Sequence, residues 1–124
     1  MSKKNTKHAK IYHNPKCSKS RGALQILNQK GFQVEEIRYL EQPPSVEALT
    51  EVCSLLGCKP TDIIRSDEVL FQAMGFNLND ERDDQAWLAI LSQHPKFIQR
   101  PIVVINNKAV IARPAERIHE ILKN

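Results

Sequence analysis

No apolar run in this 124-residue sequence approaches the roughly 20 residues that a helix needs to cross a bilayer. Nor does the basic segment 1–10 lead into the apolar stretch of about 7–15 residues that a secretory signal requires, because it meets only Ile11-Tyr12. These absences predict a cytoplasmic chain with no membrane partner. Aromatics are scarce (four Phe, two Tyr and one Trp) and are not interleaved with Lys and Arg as a nucleic-acid stacking platform demands. The formal charge of +4, from 18 Lys+Arg against 14 Asp+Glu, equals the contribution of Lys3, Lys4, Lys7 and Lys10 alone. Nucleic acid is therefore not an expected partner, and residues 1–9 read as a basic, flexible tail. Internal repeats and low-complexity stretches are also missing. A content of 41% hydrophobic and 26% charged residues suits a folded globular chain. The length suits one domain, expected over residues 10–124, and a monomer.

Cysteine is equally limited. Three residues, Cys17, Cys53 and Cys58, form an odd set in a chain without an export signal, which argues against a disulfide framework. Cys53 and Cys58 are spaced C-x4-C across a helix stop at Gly57, but zinc would need two further ligands at suitable spacing. His8, His94 and His119 are scattered singly, so no metal is expected. Cys53 belongs on the apolar face of its helix, and Cys58 is the one of the pair that could be exposed.

Residues 10–13 read as a short strand, stopped by Asn14-Pro15. Residues 18–30 carry Ala23, Leu24, Ile26 and Leu27 at helical spacing up to Gly31, and residues 34–40 read as a second strand. Strand, helix and strand over about thirty residues make a βαβ unit with parallel strands. Pro43-Pro44 breaks the chain, and Ser45 suits the N-cap of a helix over residues 46–56. Short helices are expected over residues 60–64 and 68–74, and another opens at Asp83/Asp84 and closes at Pro95. Ile102 to Ile105 is a buried-strand run, Asn106-Asn107 suits a hairpin turn, and residues 109–112 return antiparallel. A last helix follows Pro114, with Ala115, Ile118, Ile121 and Leu122 on one stripe. The order βαβ, helical insertion over about 45–95, then ββα predicts an α/β fold. Its economical form is a thioredoxin-like, four-stranded mixed sheet.

Cys17 is the first candidate for chemistry. In the loop before the first helix, its sulfur should meet helix-terminal N–H groups and the positive end of the dipole, which favour the nucleophilic thiolate. The same groups suit an anion. Lys16, Lys19 and Arg21 add positive charge, and His13 could add more when protonated. A free cysteine is more often an inert core residue, but Pro-Lys before it and Ser-Lys-Ser-Arg after it place Cys17 poorly for a core. Three positions on stands Ser20, so no C-x-x-C dithiol exists. Ser20 could donate a hydrogen bond to the thiolate or cap the first turn of the helix. No arginine stands at the spacing of a phosphatase phosphate loop, since that position is Ala23. Arginines from elsewhere could complete an oxyanion site: Arg65, Arg100 and Arg113 each sit at an element boundary. Taken singly, each reads as an ordinary surface arginine. In a thioredoxin-like fold, however, the loop before the third strand packs on the cysteine loop, commonly through a cis proline, and Arg100-Pro101 stands there.

Several segments together resemble the glutaredoxin-dependent arsenate reductases, arsC-like and of the short-chain branch. They are His13-Asn14-Pro15-Lys16-Cys17-Ser18-Lys19-Ser20-Arg21, Tyr39-Leu40-Glu41-Gln42-Pro43-Pro44-Ser45, Ile63-Ile64-Arg65, His94-Pro95, and Arg100-Pro101-Ile102-Val103-Val104. Longer members carry a further C-terminal stretch. The resemblance implies a single-cysteine reduction of arsenate to arsenite, with Cys17 as nucleophile and Arg65, Arg100 and Arg113 binding arsenate. His13 and Ser20 match positions that tune the cysteine. It further implies glutathione as co-substrate, glutaredoxin as the partner that resolves the Cys17–glutathione mixed disulfide, and no tightly bound cofactor. Two other readings stand beside it: an Spx-like regulator that binds RNA polymerase, and a glutathione-dependent thiol transferase that does not act on arsenate. Many Spx-type proteins carry C-x-x-C, against which Ser20 speaks.

Overall fold

All four strands of a mixed sheet and the N-terminus of its first helix meet at one end. The computed structural model describes residues 7–122. Strand β1 (Lys7–Tyr12) leads through the cysteine loop into helix α1 (Ser18–Gln29), and β2 (Phe32–Ile37) returns parallel to β1 from Lys7↔Phe32 to Tyr12↔Ile37. Strands β3 (Ile102–Ile105) and β4 (Lys108–Ile111) form an antiparallel hairpin. At its turn Asn106 takes φ 56°, a left-handed conformation that asparagine tolerates. With β3 antiparallel to β1, the sheet order is β2-β1-β3-β4: the mixed, thioredoxin-like arrangement expected.

Alternation along β1 puts Ala9 and Ile11 on one face, where Ala23 and Leu27 of α1, Val103 of β3 and Ile118 close over them. These are the apolar positions a strand period of two and a helix period of 3.6 would bury together. The C-terminal segment is a 3₁₀ helix over Ala115–Ile121 rather than the α-helix expected. Its apolar residues Ala115, Ile118 and Ile121 recur every third position, which aligns them on one face of a helix with three residues per turn.

The expected boundaries shift where pairing outweighs local propensity. Strand β1 starts at Lys7, so residues 7–9 of the expected tail are strand; the rest of that tail lies outside the described residues. Their amide ladder to β2 and the burial of Ala9 explain the difference. Strand β2 ends at Ile37, three residues before the expected limit, because β1 offers it no partner beyond Tyr12. Tyr39, 1% exposed, is a core residue in a turn instead.

Internal contacts divide the chain into two compact units, the sheet unit up to Tyr39 and from Arg100 onward, and a helical unit over Leu40–Gln99. The helical unit contains α2 (Val46–Leu56), a 3₁₀ turn over Pro60–Ile63, α3 (Val69–Ala73), α4 (Asp84–Gln93) and a 3₁₀ turn over Pro95–Phe97. Ser45 caps α2 by accepting from Ala48 N–H at 3.0 Å, and Asp83 caps α4 by accepting from Ala86 N–H at 2.9 Å. Phe71 meets Phe97 edge-on at 5.2 Å and stacks with Trp87 at 6.4 Å inside this unit. Among the described residues no helix is long and apolar enough to cross a membrane.

Leu27 is fully buried and Val69 is 78% exposed. Leu27→Ala is expected to cost about 2–5 kcal/mol, and Val69→Ala less than about 0.5 kcal/mol, in denaturant unfolding. Equal effects would contradict this core.

Candidate active site

Register explains why distant residues meet. Tyr12 pairs with Ile102 across the β1–β3 ladder, so the chain leaving β1 and the chain entering β3 lie at the same end of the sheet. Ile102 also pairs with Ile111, and Ala112 N–H donates to Pro101 O at 2.9 Å, which brings Arg113 to that end as well. The Arg100–Pro101 and Arg113–Pro114 peptide bonds are both cis.

The cysteine loop is short and tied down. Asn14 forms an Asx turn, its Oδ1 accepting from Lys16 N–H at 3.0 Å, while Cys17 N–H donates to Asn14 O at 2.9 Å. Arg21 donates from Nη1 to Pro15 O at 2.9 Å, so this guanidinium braces the loop. Cys17 then occupies the N-cap position of α1 with extended backbone, and Arg21 N–H donates to Cys17 O as the first helical bond. In that position the thiol makes no capping hydrogen bond and stands where the first-turn amides are unpaired within the helix.

Competing effects act on the Cys17 thiol. Partial burial pushes its pKa up, but the nearby backbone amides of Ser20 and Lys19 and the charged Arg100 side chain pull it down. The favourable contacts prevail, and the thiol titrates below its ordinary range. One arm of Arg100, Nη1, is buried and has no hydrogen-bond partner among the described residues. A buried, unsatisfied guanidinium N–H is costly, and an oxyanion beside Cys17 would satisfy it. Arg113 donates from Nη1 to Arg100 O at 3.3 Å, supporting the segment that carries Arg100.

His13 does not carry the charge that the sequence suggests, and Ser20 lies against it. His13 is buried at the end of β1, and burial lowers its pKa; Glu36 opposes the fall while Arg38 and Arg21 add to it. The ring is therefore neutral near pH 7 and adds no positive charge. Its Nδ1 lies 2.7 Å from Ser20 Oγ, which also accepts from Asn14 N–H at 3.0 Å. The Ser20 oxygen thus accepts from Asn14 and shares one proton with the His13 ring. The Ser20 backbone amide lowers the Cys17 pKa, and the Ser20 hydroxyl fastens helix to loop.

Arg65 belongs to the helical unit, where its Nη1 donates to Lys96 O at 3.4 Å and lies 3.5 Å from Glu68 Oε2. Cys53 and Cys58 also lie in that unit, Cys53 buried and Cys58 partly buried. Sequence reasoning passed over Asn14 as a functional residue, although an Asn-Pro pair before a cysteine is a turn signal that could have found it.

Two measurements check this geometry. Alkylation of Cys17 by iodoacetamide, followed by mass spectrometry against pH, should show a midpoint below that of an ordinary thiol, because only the thiolate reacts. Arg100→Ala removes a positive charge and should move the midpoint up; an unmoved midpoint would remove Arg100 from the site. Ser20→Ala leaves Asn14 N–H and His13 Nδ1 buried without their partner and should cost about 1–3 kcal/mol in denaturant unfolding.

Relatives share this frame. The sequence pattern of the ArsC family matches residues 12–121. The chain is similar to the arsenate reductase of Neisseria meningitidis serogroup A, 38% identical over 114 residues that cover 91% of this chain and 97% of that one. It is likewise 38% identical to the arsenate reductase of Haemophilus influenzae over 113 residues, covering 90% and 97% of the two chains. The solved structure of an arsenate reductase from Vibrio cholerae superposes with a TM-score of 0.88 at 43% identity, covering 94% of this chain and 99% of that one. The shared pattern takes in the cysteine loop, the Arg100–Pro101 approach and the 3₁₀ helix beyond Arg113, so this chain belongs to the ArsC family.

Proposed function

We propose that this protein reduces arsenate to arsenite through Cys17, with glutathione as co-substrate and glutaredoxin as the partner that returns Cys17 to its thiol. The observation that carries the reading is Arg100 Nη1, buried without a partner beside a thiol whose pKa is lowered. A nucleophile and an unsatisfied oxyanion donor at one helix N-terminus suit attack on a tetrahedral oxyanion. Support for arsenate as that oxyanion comes from the relatives named arsenate reductase.

In the first step the Cys17 thiolate forms a sulfur–arsenic bond, and one arsenate oxygen leaves as water after taking up two protons. Arg100 holds the remaining oxygens by charge-assisted hydrogen bonds, with Arg113 steadying its backbone. Arg65 is assigned to the same substrate on the family pattern alone. A glutathione thiolate then attacks the Cys17 sulfur: a disulfide forms, the sulfur–arsenic bond breaks, and its electron pair stays on arsenic, which becomes trivalent. Ser20 stands where a local resolving cysteine would be, so the second thiol comes from solution. Glutaredoxin takes the glutathionyl group from Cys17 by a further thiol–disulfide exchange. Both electrons come from thiols, and the balance closes without a bound cofactor. The cytoplasm supplies the reduced glutathione this cycle needs.

The test measures NADPH consumption with glutathione, glutathione reductase and glutaredoxin, with arsenate present or omitted. An arsenate-dependent rate that Cys17→Ser abolishes is expected. Arg100→Ala should lower kcat/KM for arsenate by about 2–3 kcal/mol, roughly 30- to 160-fold. A folded protein with no arsenate-dependent rate would overturn the reading, as would full activity in Cys17→Ser.

A further inference from the structure

The two cysteines that the catalytic scheme leaves unused are held together by the end of a helix. Helix α2 stops in a Schellman motif: Cys58 N–H donates to Cys53 O at 3.1 Å, Gly57 N–H donates to Ser54 O at 3.2 Å, and Gly57 takes the left-handed conformation with φ 70°. This motif brings the side chain three residues before the helix end against the one just past it, normally as an apolar contact. Here both positions are cysteine, and the neighbouring Cys58 thiol raises the Cys53 pKa. Cys53 is 6% exposed, whereas Cys58 is only partly buried and gives the pair its outlet to solvent.

We propose that Cys53 and Cys58 form a dithiol site for trivalent arsenic, the oxidation state that the proposed reduction would release. Arsenious acid exchanges two of its hydroxyl groups for the two sulfurs. Two arsenic–oxygen bonds break and two arsenic–sulfur bonds form, each thiol proton leaves with a displaced hydroxyl as water, and arsenic remains trivalent. Neutral thiols and a neutral acid give a neutral adduct, so no thiolate need persist.

The surroundings favour this ligand over two others. Burial, the neighbouring Cys58 thiol, and the carboxylates Asp84 and Asp62 hold Cys53 up to about 12; burial and Asp62 also raise Cys58. A divalent cation or a thiol–disulfide exchange would use thiolates, which this environment disfavours. Among the described residues, moreover, no group of three or more His, Cys, Asp or Glu side chains could hold a metal ion. Trivalent arsenic needs only two protein sulfurs and keeps a hydroxyl or a solution thiol as its third ligand.

The experiment uses phenylarsine oxide as probe, with excess glutathione to strip single-thiol adducts, and intact-mass spectrometry as readout. Wild-type protein and Cys17→Ser should each carry a single arsenical, and Cys58→Ser should carry none. Cys53→Ser should also carry none, and Cys58→Ser, altered near the surface, covers the case in which the buried substitution unfolds the chain. An adduct that survives in Cys58→Ser, one that disappears in Cys17→Ser, or none in the wild type would overturn the site. The inference rests on the arsenate reductase reading for its ligand, but the two fail separately. Arsenate turnover without an adduct rejects the dithiol site alone, and an adduct without turnover rejects the catalytic reading alone.

Discussion

The antiparallel register of β1 against β3 is the constraint on which the site depends. Because Tyr12 pairs with Ile102, the loop that ends at Cys17 and the segment that holds Arg100 emerge side by side. A slip of one residue would turn every side chain of β3 to the opposite face and undo the pairing of Ile102 with Tyr12 and Val103 with Ile11. The cross-strand pairing that stabilises the sheet therefore also fixes the spacing of nucleophile and cation. Ser20 extends the constraint to the helix, since its hydroxyl ties α1 to both His13 and Asn14.

Two cysteines in one chain show how placement, not residue type, decides reactivity. Cys17 lies at a helix N-terminus, where backbone amides and a guanidinium outweigh the cost of partial burial. Cys53 lies near a helix C-terminus, where free carbonyls concentrate negative potential, and two aspartates add to its burial. The first is shifted toward its anion and the second is held as a thiol. Arg100 obeys the same logic: its buried, unpartnered arm is a liability in isolation and an asset beside an anion.

Much of this was legible from residue pattern. The order of elements, the mixed sheet, the caps Ser45 and Asp83, and the position of Cys17 stem from periodicity and helix-start chemistry, which are local. The features that escaped were decided by contacts between distant segments. The extension of β1 back to Lys7 depends on partners in β2, and the three-residue period of Ala115, Ile118 and Ile121 has two readings until it packs. For His13 and Ser20 the residues were identifiable, but their roles depend on which atom faces which. A histidine near a cysteine suggests charge, and only its burial against Ser20 shows a neutral ring.

The central claim is that the Cys17 thiolate attacks the oxyanion directly, and the most direct measurement traps the mixed disulfide formed when glutathione displaces arsenic. Protein incubated with arsenate and glutathione, with glutaredoxin left out, should accumulate that disulfide on Cys17, read by peptide mass spectrometry. The account predicts that this modification requires arsenate and is confined to Cys17. Glutathione found on Cys17 to the same extent without arsenate, or an arsenate-dependent adduct on another cysteine, would contradict it.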